Sequence, residues 1–343
     1  MSAIRALWTD WRSAADLDVV GLGECSLDQV CVVAELPVGG EKRSLLHYTA
    51  QPGGQVASAM LGCARLGLRA GYIGVVGLDP AAASVLAPLG RAGVELSGVR
   101  RVVGANTRTA VVLVRARDGE RTVLAHRDPR LRLVTAQLEV SEIRRARVLQ
   151  VDGSDPDASL WAARTAREAG IPVVLDADTL TPETERLLAV IDFPVVSREM
   201  AEELGGTGSP VDGLAKLAGW GARLAVVTCG SEGALARSGE QMLRSPCFDV
   251  DVQDTTGAGD AFHAGFIWGL LQGYGAERVL RVANAVAGLA CTRLGAQAGL
   301  PRREEMLALV DRDEASSGAR GSSGAAASPG REERRDEISG SKQ

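Results

Sequence analysis

The chain has 343 residues, 45% of them hydrophobic, which is enough to bury a substantial core in one large α/β domain with an excursion or in two small domains. Lysine and arginine number 38 against 43 aspartates and glutamates, and the resulting net charge of -5 argues against the global basic field of a nucleic-acid binder. No segment reaches the ~18 uninterrupted apolar residues of a membrane span. The N-terminus lacks a signal-peptide core, and the 6 cysteines are scattered without zinc spacing or disulfide density, so a reduced, soluble, cytoplasmic protein with no membrane partner is expected.

Residues 1–17 read as a short polar extension. Val19, Val20, Gly21, Leu22 and Gly23 then read as a buried first strand, the usual opening of a parallel sheet. Between 28 and 50 the pattern changes to β-branched pieces, at 30–33 and 45–49, around a turn region containing Pro37, Gly39 and Gly40. These look like antiparallel strands and the first half of a lid. Gly53 and Gly54 lead into a helix over 55–66 stopped by Gly67, and a strand follows at 70–76. Residues 109–114 and 121–125, joined through Asp118 and Gly119, carry the Asp-Gly hairpin signal and should pair with the earlier excursion, so the lid strands are sought within 28–50 and 107–126.

From Arg147 onward, strands at 148–151, 172–175, 193–196 and 223–227 alternate with helices at 157–169 and from Pro182, the rhythm of βαβ units with right-handed crossovers. A strand at 248–252 is expected before a glycine-rich turn at 254–259, with apolar helices over 261–271 and 276–293. Beyond Asp311 the composition collapses to Ser, Gly, Ala, Arg and Glu, which bury too little apolar area to offset chain entropy, so 312–343 is expected to be a disordered tail behind a main domain over 18–311.

Most of the chemistry is carried by Asp254, Thr255, Thr256, Gly257, Ala258, Gly259 and Asp260. A glycine-rich loop that opens an apolar helix makes an anion site, because small residues admit close backbone approach and the first helical amides point outward. An aspartate there can take a proton from a hydroxyl while the amides of Gly257, Ala258 and Gly259 stabilise charge on phosphoryl oxygens. The plainer alternative is that Asp254 or Asp260 only caps the helix.

This segment, DTTGAGD, resembles the signature of the ribokinase-like (PfkB) carbohydrate kinases. A second stretch, from Gly53 and Gly54 through Gln55, Val56, Ala57 and Ser58 to Ala64, Arg65, Leu66 and Gly67, resembles the family's N-terminal glycine signature, and the likeness runs from about 19 to about 309. It implies a three-layer α/β/α domain with a small β-sheet lid, and ATP-dependent phosphorylation of a sugar hydroxyl with Mg2+. Asp260 would be the base and the 257–260 loop the anion hole. Thr228, Gly230, Gly233 and Asn284 would lie along ATP. Asp28 would bond substrate hydroxyls, Gly53 and Gly54 would let the sugar approach the backbone, and Ser58 stands where many members have Asn. Lys42 aligns with a sulfonate-binding lysine of sulfofructose kinases, although it sits in a charged run whose ordinary reading is a solvated loop.

The same resemblance implies a monovalent cation, potassium in ribokinase, held mainly by backbone oxygens around Asp254, Thr256, Arg293 and Gly295. It places Glu199, in Ser197, Arg198, Glu199 and Met200, where the family carries an Asn-x-x-Glu motif tied to magnesium, and it implies a homodimer through the lid. Arg108 and Arg127 flank the second hairpin and could meet a charged substituent on the substrate; His263 reads as packed. Two alternatives stay open: a nucleoside kinase of the same superfamily, disfavoured by an aromatic content of 3%, and a catalytically weak binding or regulatory protein.

Overall fold

In the computed structural model residues 15–322 are described, the side chains of 316–322 excepted. Most of the expected extension 1–17 therefore lies outside the described residues. In chain order come β1 (Leu17–Leu22), β2 (Ser26–Val33), β3 (His47–Gly53), α1 (Gln55–Arg65), β4 (Ala70–Gly77), α2 (Pro80–Arg91), β5 (Val99–Val102), β6 (Thr109–Arg115) and β7 (Arg121–His126). The second half contains α3 (Val140–Arg144), β8 (Ala146–Val151), α4 (Pro156–Glu168), β9 (Val173–Ala177), α5 (Pro182–Leu188), β10 (Phe193–Ser197), α6 (Arg198–Gly205), α7 (Pro210–Gly219) and β11 (Ala225–Thr228). It closes with β12 (Ala234–Ser238), β13 (Gln241–Ser245), α8 (Ala258–Leu271), α9 (Ala276–Ala290) and α10 (Arg303–Ser322).

The main sheet has 9 strands in the order β13-β12-β11-β10-β9-β8-β1-β4-β5, parallel from β5 to β11 and antiparallel in the last hairpin. Its inner strands are near-continuous apolar runs because both faces are covered, and side chains alternate between the faces with period two. Val19, Val148 and Val174 face α1, α2, α8, α9 and α10, whereas Val20, Leu22, Leu149 and Val173 face α3 to α7. Eleven residues of α8 are buried, from Ala261 to Leu271, so this helix is apolar all round and is held inside the upper layer, Phe266 meeting the edge of Phe193 at 5.9 Å.

The lid is a separate sheet of 4 strands, β3-β2-β6-β7, in which the expected antiparallel pairs β2–β3 and β6–β7 are joined by a parallel central pair, β2 and β6. Its own buried core is Val30, Ala110, Val112 and Val114, too small for the sheet to stand without the body beneath it.

Three expectations are corrected. Residues 248–252 form no strand: Phe248 and Val250 lie against α9, where Arg281 stacks over the Phe248 ring at 3.4 Å, Val252 is exposed, and the sheet edge is taken by the β12–β13 hairpin. That hairpin escaped the sequence because its outer strand is mostly exposed and polar. Second, α9 ends at Ala290, where the Cys291 amide bonds back to Ala287 and Gly288, releasing 291–300 to cross toward Asp254. Third, α10 carries the chain as helix past Asp311, helped by an ion pair from Arg278 to Glu314 at 3.1 Å; residues 323–343 of the expected tail lie outside the described residues. Among the described residues no helix is long and apolar enough to cross a membrane. The six cysteines are free, all but Cys247 buried.

Candidate active site

Three adjacent parallel strands, β1, β8 and β9, each deliver an acid at or just beyond their carboxyl ends: Glu24, Asp152 and Asp176. This edge is where open α/β sheets hold ligands. Asp152 is fixed by two amides, from Glu24 (2.7 Å) and Ser154 (2.8 Å), and a Cβ on Gly23 would lie 2.3 Å from its Oδ2. Asp176 accepts from Gln55 Nε2 at 3.3 Å through Oδ1, while its buried Oδ2 has no hydrogen-bond partner among the described residues.

The N-terminus of α8 meets this edge. Gly257, at φ 77, is its cap, and the helix start has no side-chain cap. Asp254 is fully buried, and its carboxylate accepts from the amides of Thr256 (2.8 Å) and Gly295 (2.7 Å). Asp254 thus organises the turn, and the capping alternative does not extend to Asp260. The Ala258 amide donates to Thr255's carbonyl at 3.2 Å, so of the three expected outward donors it is already engaged, which leaves Gly257 and Gly259. A Cβ on Gly257 would sit 2.7 Å from Ala296, so the turn and the 291–297 segment are interlocked. One turn along, His263 Nδ1 lies 2.9 Å from Gly259's carbonyl and 3.4 Å from Asp176 Oδ2. Burial lowers its pKa, and the neutral ring donates through Nδ1.

The lid lies across this turn. Arg121 on β7 donates to Thr255 Oγ1 (2.9 Å), which donates to Gly119's carbonyl at the hairpin tip (3.1 Å). Asp28 on β2 accepts from the Ser26 hydroxyl at 2.6 Å. The two glycines of the first signature have separate physical reasons. A Cβ on Gly53 would lie 1.9 Å from Asp28 Oδ2, and Gly54, at φ 95, would collide with the Cys25 backbone at 2.4 Å. Arg108 pairs with Glu24 (3.0 Å), and Arg127 with Asp155 (2.6 Å).

Crowding acids in a buried place raises all of them. Asp260 is partly exposed by area yet deeply enclosed by protein; that enclosure and then the Asp176 carboxylate push its pKa up to about 8. Glu24 is likewise pushed up to about 8, by burial first, with Arg108 opposing. Burial raises Asp28, Asp152 and Asp176 as well.

The expected nucleotide contacts lie two strands along the same edge, about 10 Å from β9 at ordinary strand spacing. Thr228 ends β11, and Gly230 and Gly233, at φ 54 and 87, shape the turn into β12, where a Cβ on Gly233 would meet Ser245's carbonyl at 2.1 Å. Asn284 is buried and donates to the Ser245 carbonyl (3.0 Å) and the Pro246 carbonyl (3.2 Å), so its amide nitrogen secures β13 to α9. Glu199 is exposed in the first turn of α6, beside an Arg198–Glu232 ion pair of 2.6 Å.

Two expected acceptor contacts are not brought to the acids. Ser58 is fully buried in α1, where its hydroxyl accepts from Gln297 Nε2 at 3.3 Å and ties the helix to the 291–300 segment. Lys42 is exposed on the β2–β3 loop beside the Glu41–Arg43 ion pair. Arg293 is exposed on the 291–300 segment, Gly295 is buried, and Thr256 keeps a buried hydroxyl with no partner among the described residues. Sequence reasoning passed over Glu24, Asp152, Asp176 and Arg121. For the first three a signal existed: an acid at the end of an apolar strand.

Comparison with known proteins agrees with this fold. A family model described as pfkB family carbohydrate kinase matches residues 16–303. Curated relatives include an ATP-dependent ribose-1-phosphate kinase of Halopiger xanaduensis, 33% identical with 81% of this chain and 93% of the relative covered, and fructokinase-1 of Oryza sativa subsp. japonica, 31% identical with 85% and 97% covered. Among solved structures, Arabidopsis thaliana ribokinase complexed with ribose and ATP is 27% identical and superposes with a TM-score of 0.74 over 86% of this chain and 98% of that one.

Proposed function

The chain belongs to the pfkB family of carbohydrate kinases and uses ATP to phosphorylate a sugar; from that premise we propose that Asp260 deprotonates the attacking hydroxyl and that the amides of Gly257 and Gly259 receive the transferring group. The observation that carries this reading is the position of Asp260 in the first turn of a helix with no side-chain cap, beside the acid-lined strand ends. Base and anion hole then share one turn. ATP supplies the phosphoryl group, and Mg2+ neutralises the charge on its oxygens. The chain's part is to hold both reactants in line, and Thr228, Gly230 and Gly233 are proposed to offer backbone to the nucleotide, with Asn284 bracing the hairpin behind them. Among the described residues no group of three or more His, Cys, Asp or Glu is set to hold a metal, which suits an ion carried in on phosphate oxygens, with exposed Glu199 contributing at most through water.

The acceptor favoured by this wall is an uncharged sugar. Asp28 offers a hydroxyl acceptor, Gly53 and Gly54 open the backbone beside it, and the arginines that could meet a phosphate, Arg108 and Arg127, are tied to Glu24 and Asp155. Thr256's unpartnered buried hydroxyl, next to the Asp254 and Gly295 backbone, supports a monovalent cation bound mainly by carbonyls of that turn and of 293–295. Exposed Leu46 (61%), Tyr48 (54%) and Leu124 (59%) on and beside the outer lid strands support a homodimer through the lid. The working unit is proposed to be a single domain from β1 through α10 with the lid as its insertion, in a cytoplasm that keeps the cysteines reduced.

The test is phosphorylation of free ribose, fructose and ribose 1-phosphate with Mg2+, in potassium or sodium buffer, by wild type and Asp260→Asn. We expect turnover with a free sugar, faster in potassium, and a loss of kcat in the variant of roughly 10³-fold with ATP affinity retained. Equal kcat in the two proteins would overturn the base assignment, and preference for ribose 1-phosphate would overturn the acceptor assignment.

A further inference from the structure

Away from the phosphoryl-transfer edge, a cavity of about 710 Å3 opens between α1, α2 and the 293–305 segment. Its wall contains no residue of the 254–260 turn and none of the strand-end acids, but it contains Arg65, Arg91, Arg293 and Arg302, against Glu304 and Glu305. Elsewhere on the surface arginines meet carboxylates: Arg69 pairs with Asp18 (3.1 Å), Arg100 with Glu142 (2.9 Å), Arg130 with Asp128 (2.6 Å) and Arg145 with Glu95 (2.6 Å). Among the described residues none of the four cavity arginines forms an ion pair. Glu305 is directed instead to the Arg302 backbone amide at 2.6 Å, as the cap of α10.

Arg65 is the inner member. Its Nη1 donates to the carbonyls of Gln297 (3.0 Å) and Leu300 (2.7 Å), which leaves its remaining N–H groups for the cavity. Burial, followed by the like charges of Arg293 and Arg302, lowers its pKa, with Glu305 opposing, so these three guanidinium groups repel one another.

We propose that this cavity is a second anion site that takes a small phosphate-bearing metabolite, held by guanidinium forks from α1, α2 and the 293–302 segment. Guanidinium forks match phosphate oxygens in pairs, and the volume admits a molecule of sugar-phosphate or nucleotide size. An occupant would also fasten the 297–300 stretch that Arg65 holds. That stretch continues the segment clamped by Asp254 through Gly295.

The probe is inorganic pyrophosphate, titrated calorimetrically and by melting temperature in magnesium-free buffer with saturating ADP to fill the nucleotide site. Wild type is expected to bind it and melt higher. Arg91→Gln/Arg302→Gln, with unchanged basal turnover and unliganded melting temperature, is expected to bind at least about tenfold more weakly. Glu304→Gln removes an opposing charge and is expected to tighten binding about twofold to fivefold. No binding in the presence of ADP, equal affinity in the double variant, or tighter binding of citrate than of pyrophosphate would each overturn the proposal.

Discussion

The two ends of the reaction site are built differently. On the proposed acceptor side, Glu24, Asp28, Asp152, Asp176 and Asp260 crowd together with raised pKa values, and among the described residues Asp176 Oδ2 has no hydrogen-bond partner. On the nucleotide side the groups are satisfied by the chain itself: Asn284 by Ser245, Cys229's amide by Gly233's carbonyl at 2.7 Å, and Arg198 by Glu232. Unmet polar capacity in a buried place is expensive and is retained where a ligand will meet it. On the site roles proposed above, the acceptor half therefore holds the chemistry and selectivity, and the nucleotide half supplies shape.

Substitutions can break that contrast. The largest effect after loss of Asp260 is expected from Gly53→Ala, because its methyl group would displace the Asp28 carboxylate that Ser26 holds. The acceptor KM should rise roughly tenfold to a hundredfold with the ATP KM unchanged; a change confined to ATP would reverse the assignment of the two halves.

Next in size is the pH dependence. On the base assignment proposed above Asp260 must lose its proton to act, so kcat/KM for the free enzyme is expected to climb with pH through about 8. In Asp176→Asn the neighbouring charge is gone and the midpoint should move to lower pH; an unmoved midpoint would remove Asp176 from the set that tunes the base.

The same groups bear on stability. Glu24 and Asp260 hold their protons in the folded state up to about 8, but release them near 4.5 and 3.8 once unfolded. Between these limits the folded state binds more protons, so stability should fall as pH rises, by at most ~1.4 kcal/mol per pH unit for each group. Urea midpoints at pH 6 and pH 8 measure this, and a flat profile would mean that the acids are not shielded. The smallest effect is expected on the nucleotide side, where Glu199→Gln should raise the Mg2+ requirement by no more than about tenfold.

What could be read from the sequence was what is local. The turn before α8 and the glycines before α1 announce themselves because conformation and chemistry lie within a few consecutive residues, and the inner strands do so because burial on both faces makes them continuously apolar. Glu24, Asp152 and Asp176 converge only through the sheet order β9-β8-β1, which no single segment encodes. The contacts of Ser58 with Gln297 and of Asn284 with Ser245 and Pro246 likewise join segments far apart in the chain, and no local motif announces them. An apolar alternation such as 248–252 signals a buried face, and whether a ladder accompanies it depends on which neighbour has already taken the sheet edge.

The clamp of Asp254 on the Gly295 amide, with Gly257 fitted against Ala296, also has a consequence for how the protein is made. During translation Asp260 leaves the ribosome before the segment that shapes its turn. A nascent or prematurely terminated chain ending before 291 would contain the proposed base without the segment that clamps its turn, so on that reading the turn is completed only once synthesis has passed residue 296.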